Sequence, residues 1–152
     1  RKWLGTIMGI KSIDELIKVV KSDIVKKLNE ERSQTKIKDV NRRNVSREVY
    51  SVYTPVKYFR RADEGGLTDP DNISVTPSEN SSGITLTITN NTEPKGFDEI
   101  GGESDFLAPI IEYGTGGNRP WQKPRPFMRE TENELKNGEL IKNIIKEIDY
   151  IK

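Results

Sequence analysis

Cysteine and histidine are both absent from this chain, so its reactive side chains are carboxylates, lysines, tyrosines, serines and threonines. Without histidine the commonest general base and metal ligand is missing, and without cysteine there are no disulfides or thiolate zinc sites. Most hydrolase and zinc chemistries are thereby excluded. Two groups of residues have spacings worth testing against chemistry. Gly114-Thr115-Gly116-Gly117 invites a phosphate-cradle reading, but no Lys-Ser/Thr pair follows and the GxGxxG spacing is absent, so chain geometry is the simpler reason for the glycines. Asp63, Glu64, Asp69 and Asp71 are acidic enough to hold calcium, yet position 73 is Ile and no Gly or terminal Glu falls in EF-hand register. An acidic turn is the simpler reading there. No cofactor, no metal and no enzymatic reaction are expected.

The side chains that point to recognition lie between Ile110 and Thr131. Ile110, Ile111 and Tyr113 favour a pleated, half-buried backbone, and Gly114, Gly116 and Gly117 should end that strand. Pro120, Pro124 and Pro126 hold the next stretch extended, and Pro126 suits the first turn of a helix that Phe127 anchors. The intervening loop carries Arg119, Trp121, Lys123 and Arg125, more chemistry than an idle linker needs. Trp121 is either tucked against its own domain or placed as an anchor for a partner, and interface hot spots are enriched in Trp.

The elements that position these residues read as one domain. A short arm (1–10) precedes a helical part (12–54), a sheet part (56–113), the Gly/Pro-rich loop (114–126) and C-terminal helices (127–152). Ser12-Ile13-Asp14-Glu15 is a capping box, and Ile13, Leu16, Ile17, Val20, Ile24 and Leu28 form a helical stripe expected to run to about Arg32. Val45, Val49, Val52 and Tyr53 suggest a second helix, stopped by Pro55. Val56 to Arg60 should be extended, Ile73 to Thr76 is a short strand, and Ile84 to Thr89 alternates strictly. Pro77 to Gly83 reads as the turn between these last two, and Phe106 to Tyr113 as a further strand with a bulge at Pro109. Phe127 to Lys136 and the stripe Leu140, Ile141, Ile144, Ile145, Ile148 and Ile151 close the chain as helices. The expected fold is α+β, a mostly antiparallel sheet of three to four strands with helices packed on one face.

Charge is segregated along the chain. Residues 1–61 carry sixteen Lys/Arg against seven Asp/Glu, 62–118 one against eleven, and 119–152 eight against six. Either the basic and acidic parts attract each other within one molecule, or a basic face of one copy meets an acidic face of the next, a head-to-tail contact that can close into a ring. No apolar run approaches the 18 residues of a membrane span, and Arg1-Lys2-Trp3-Leu4 lacks the h-region of a signal peptide, so a protein kept inside the cell where it is made is expected.

Two blocks carry a family resemblance. Glu112-Tyr-Gly-Thr-Gly116 followed by Arg125-Pro-Phe-Met-Arg-Glu130, and upstream Val49 to Leu67 with its Val-Tyr pair, Tyr-x-Pro, Tyr-x-Arg-Arg and Gly-Leu steps, are similar to the tail-completion family of tailed phages, the gene-product-ten-like minor structural proteins. The resemblance implies a small sheet packed with helices and a place at the neck, where the tail tube meets the head connector. It also implies assembly as a ring, six-fold by preference, against tube, sheath or connector proteins. On that basis Arg60, Arg61, Asp63, Glu64, Gly114, Gly116, Gly117, Arg119, Trp121, Lys123, Arg125 and Arg129 are the candidate subunit and partner surface. The expected location is the virion neck, with host cytoplasm as the place of assembly. DNA can pass through such a ring without specific binding. The alternative is a nucleic-acid-binding module using the basic N-terminal part, although basic patches with that role usually belong to strongly positive domains with interleaved aromatics.

Overall fold

The computed structural model describes residues 12–52, 54, 61–93, 107–117 and 123–148. Helix α1 (Ile13–Asn29) begins at the predicted capping box, with Ser12 Oγ accepting from the Glu15 N–H at 3.1 Å. It stops short of Arg32, because Glu30 turns extended (ψ 138°) and a new helix, α2 (Glu31–Val45), starts at once. The break has a packing reason. Leu28 and Ile37, both buried in one core, would face opposite ways on a straight helix, since nine residues at 3.6 per turn rotate by about 180°. The bend brings them together, and Gln34 Nε2 satisfies the freed Leu28 carbonyl at 2.7 Å.

Helix α2 ends in a π-helical turn, Ser46–Tyr50, where the second helix was expected to lie. Val45 and Val49 are buried as that expectation required, whereas Val52 is exposed, and Tyr53 lies outside the described residues. A 3-10 turn at Pro70–Asn72, whose N-cap Asp69 accepts from the Asp71 N–H, leads into β1 (Ile73–Asn80). β1 pairs antiparallel with β2 (Gly83–Asn90), Ile73 opposite Asn90 and Asn80 opposite Gly83. The strand thus runs through Pro77, where a turn was expected, and the true turn is only Ser81-Ser82, fastened by Asn80 Oδ1 to the N–H groups of Ser82 and Gly83. Proline is tolerated because β1, among the described residues, is paired on one side only.

Among the described residues the sheet has two strands rather than three or four. Val56 to Arg60 lies outside them, and most of the third expected strand is instead helix α3 (Leu107–Tyr113). A short apolar run fits either element by periodicity, and here Pro109 occupies the first helical turn, where a missing N–H removes no bond. Gly114, at φ 69°, then takes the left-handed conformation that ends a helix. Helices α4 (Phe127–Asn137) and α5 (Leu140–Lys146) follow. Gly138 separates them for a steric reason, since a Cβ there would lie 2.4 Å from the Glu134 carbonyl.

The hairpin's alternation sorts its two faces. Ile73, Val75, Leu86 and Ile88 turn toward the helices, and Ser74, Thr76, Thr85, Thr87 and Thr89 are exposed on the other side. One apolar cluster joins Leu28, Ile37, Val40, Ile73, Val75, Leu135 and Ile144, so α1, α2, α4 and α5 all reach the inner face. A second joins Val45, Val49, Leu67, Ala108 and Phe127. Between them α2 and α4 run antiparallel and contribute a polar layer, in which Asn41 Nδ2 donates to Thr131 Oγ1 at 3.3 Å. Asn90 Nδ2 approaches Asn41 Oδ1 at 3.4 Å and donates to the Leu67 carbonyl at 2.8 Å, tying the end of β2 into that layer.

Candidate functional site

The two signature blocks converge on the second cluster. Val49 and Leu67 from the upstream block are buried there beside Phe127, and Tyr50, Ile111 and Met128 pack against them. Residues far apart in sequence therefore build one unit, and each block supplies both an apolar anchor and a tightly bonded turn.

In the upstream block the chain winds between Arg61 and Asp69. Ala62 has φ 44°, unusual without glycine, and the Gly66 N–H donates back to its carbonyl at 3.0 Å. Gly66 is sterically required, because a Cβ there would sit 2.5 Å from the Ala62 backbone nitrogen and oxygen. Asp69 Oδ2 accepts from the Gly65 N–H at 2.6 Å, and three consecutive carbonyls are held by side chains: Gly66 by Thr92, Leu67 by Asn90 and Thr68 by Arg42. Arg61 donates to the Glu93 carbonyl at 2.5 Å, and Asp63 pairs with Arg42 at 3.3 Å. The Thr68 hydroxyl, and then Arg42, hold the Asp63 carboxyl below its ordinary range. Glu64 is exposed, and Arg60 lies outside the described residues.

The downstream block is a clasp. Glu112, in the last turn of α3, accepts from the N–H groups of Met128 at 2.9 Å and Arg129 at 3.1 Å, the otherwise unpaired donors at the start of α4. A carboxylate there also complements the positive end of the helix. The Arg125 N–H donates to the Ile111 carbonyl at 2.9 Å, so the chain leaving α3 and the chain entering α4 are fastened side by side. Pro126 is the N-cap of α4 rather than its first residue. Arg125 is buried, whereas Lys123 and Arg129 are exposed. Gly116, at φ 75°, has open space around it, and Gly117 is half-buried. Arg119 and Trp121 fall outside the described residues.

Sequence reasoning missed the charged cleft on the flank of α2, about 1260 Å³, lined by Arg42, Arg43, Arg47, Tyr50, Asp63 and Glu134 among others. Its arginines already have partners: Arg42 reaches Asp39 and Asp63, Arg43 reaches Glu134 at 2.6 Å, and Arg47 reaches Glu48 at 2.6 Å. Burial opposes the Glu134 charge, but hydrogen bonds from Arg43 and Asn44 outweigh it and hold the carboxyl below its ordinary range. Lys27 and Lys36 do the same for Glu147. Carboxyls held ionised are the reverse of what a general acid needs. These pairs also show that basic residues of the first part are matched, in the same molecule, by carboxylates from residue 63 onward.

A second groove, about 1300 Å³, runs beside β2, lined by Ile84, Leu86 and Ile88 on one side and by Met128, Leu135 and Ile141 on the other. Among the described residues no three His, Cys, Asp or Glu side chains gather as a metal would require, and no helix is long and apolar enough to cross a membrane.

No curated protein and no solved structure matches this chain. The sequence profile of the YomN family matches residues 12–149, from the capping serine of α1 to just past α5, and so takes in both signature blocks and both apolar clusters. The chain belongs to the YomN family, a phage-derived family of gene products.

Proposed function

We propose that this chain is a non-enzymatic structural protein of a phage or phage-tail-like particle, acting as a ring at the neck, where it completes the tail or joins it to the head connector. The supporting observation is the convergence of the two signature blocks on one apolar cluster. A chance resemblance has no reason to pick out residues that pack together, whereas a shared structural unit does. The clasp adds to this reading. By fastening Ile111 and Glu112 at the end of α3 to Arg125, Met128 and Arg129 at the start of α4, it holds the two flanks of the Gly/Pro-rich loop together, and presentation of a loop to a neighbouring subunit requires fixed flanks. Among the described residues, Arg42 and Arg43 of the basic N-terminal part are bonded to carboxylates and a carbonyl of their own chain, and no observation favours the nucleic-acid reading over this one.

The test is electron microscopy of particles produced when the gene is deleted. Separate heads and tails, or tails of uncontrolled length, are expected, and normal infectious particles would remove the reading. As a finer probe, Trp121→Ala is expected to leave the melting temperature unchanged and weaken assembly. A lowered melting temperature with normal assembly would make that indole a packing residue.

A further inference from the structure

We infer that the outer edge of β2, above the groove it borders, is where a second copy of this chain adds its own β2 antiparallel, across a two-fold axis at Leu86. The hairpin leaves that edge open, because among the described residues β2 pairs with β1 alone. Leu86 stands opposite Pro77, which has no N–H, so theirs is a non-bonded pair and the N–H and C=O of Leu86 point away from β1. Bonded and non-bonded pairs alternate along an antiparallel ladder, so Ile84 and Ile88 turn the same groups outward. Among the described residues no backbone bond reaches any of these three from outside the hairpin.

A row of backbone donors and acceptors at strand spacing is matched by another extended strand. Edges that must stay single are blunted by charge, proline or a bulge. β1 carries Pro77 and the exposed Glu79, whereas β2 has no charge, no proline and an unbroken register. The sequence of β2 names its occupant, since Ile84-Thr85-Leu86-Thr87-Ile88 reads the same in both directions about Leu86. An antiparallel pair centred there sets Leu86 against Leu86, Ile84 against Ile88 and Thr85 against Thr87 of the second copy. Residues with outward groups then meet only residues with outward groups, and each such pair exchanges both of its bonds. The side chains match as well. Threonines pair on the exposed face, and the second copy's Ile84, Leu86 and Ile88 enter the groove whose far wall is Met128, Leu135 and Ile141. A slip of two residues one way sets Ile88 against Ser82 of the turn, and the other way Ile84 against the polar Asn90. The contact is isologous, so it is separate from the head-to-tail contacts that close a ring and does not rest on the neck reading.

Disulfide trapping on the full chain tests the register, and the absence of native cysteine makes it clean. Thr85→Cys and Thr87→Cys, both at exposed positions, should each keep the native circular dichroism. In the centred pair these two positions face each other as a non-bonded pair, about 4.5 Å apart at Cα, within disulfide reach. Two copies of the same variant meet only on the diagonal, at about 7–8 Å. Mixing the two variants under mild oxidation should therefore give a linked dimer on a non-reducing gel much faster than either variant alone. Equal linking in the mixture and in the single variants overturns the proposal, as does no linking in any of them. Sedimentation velocity on the unmodified chain is the second measurement, and the species should move from the 17.3 kDa monomer toward twice that mass as concentration rises. A chain that stays monomeric at every concentration overturns the proposal too, and leaves the β2 edge to an extended segment of some other protein. Both readouts are separate from particle morphology, so failure here and failure of the neck assignment are told apart.

Discussion

The two apolar clusters are built from different kinds of sequence. The cluster under the hairpin is made of regular stripes: Ile24 and Leu28 on α1, Ile37 and Val40 on α2, Ile73 and Val75 on β1, and Ile144 on α5. No single residue in it has a special geometry, and volume-conserving apolar exchanges are tolerated in such settings. The signature cluster has fewer members but is surrounded by irregular features: a π-helical turn, a non-glycine residue at positive φ, a glycine without room for a Cβ, and a carboxylate that caps a helix sixteen residues away. The contrast separates residues that fill volume from residues that fix chain direction. The signature residues belong to the second kind, which is why they are specific enough to carry a resemblance.

The most severe way to break this contrast is to remove its largest anchor. Phe127 is wholly buried, and Phe127→Ala should cost about 3–5 kcal/mol. Ile144→Ala, equally buried in the other cluster, should cost about 2–5 kcal/mol. Both variants should melt in one transition, because α2 and α4 run through both clusters. Two transitions in Phe127→Ala, followed by circular dichroism and tyrosine fluorescence, would show that the clusters unfold separately.

The coupling between them rests on the polar layer. Asn41→Leu removes a partner from Thr131 and Asn90 and should cost about 1–3 kcal/mol, most of it from leaving buried groups unsatisfied. Adding Thr131→Val should recover part of that loss in a double-mutant cycle of urea denaturation. Strict additivity would mean the two side chains are not coupled. The same layer explains what the sequence hid. Positions 33, 37, 40, 41, 44 and 45 of α2 form a helical stripe, but Ser33, Asn41 and Asn44 occupy half of it, so a search for apolar periodicity passes over the helix. α1 and β2 were legible because Ile24 and Leu28 on the one and Ile84, Leu86 and Ile88 on the other keep apolar residues at the spacing of their element, Asn90 at the end of β2 being the polar exception. α3 was misread for lack of length, its seven residues being compatible with either period. Within the site, the glycine-bearing loop and its flanking helix could be read from composition, but the Glu112 clasp could not. Capping boxes are recognisable at a spacing of three, whereas this carboxylate reaches its donors across a loop.

That clasp gives a smaller and more selective test. Glu112→Ala removes the acceptor for the Met128 and Arg129 N–H groups and should cost about 0.5–2 kcal/mol, in the range of other N-terminal caps. Its characteristic sign is locality. Hydrogen exchange should speed up at the first turn of α4 and leave the hairpin amides unchanged. Equal acceleration in both regions would mean that the clasp contributes only to global stability.

The smallest expected effect is acid sensitivity, and it asks which region carries it. The Glu134 carboxyl, bonded to Arg43 at 2.6 Å and Asn44 at 3.0 Å, is held below its ordinary value of 4.5, and the Asp63 carboxyl below 3.8. In both cases the folded protein binds the proton less readily than the unfolded chain. The stabilisation is therefore complete above the ordinary value and is lost as pH falls through the lower, folded one. Glu134→Gln should lower stability at neutral pH and flatten its decline below pH 4.5, with urea midpoints at a series of pH values as the measure. Asp63→Asn should act in a lower window and by less, because that group is more exposed, its side chain 61% accessible against 36% for Glu134. If Asp63→Asn removed the larger share, the acid-sensitive contact would belong to the signature loop and not to the α2–α4 pair. The Arg42 bridge would then do more than local tethering in holding that loop against the domain.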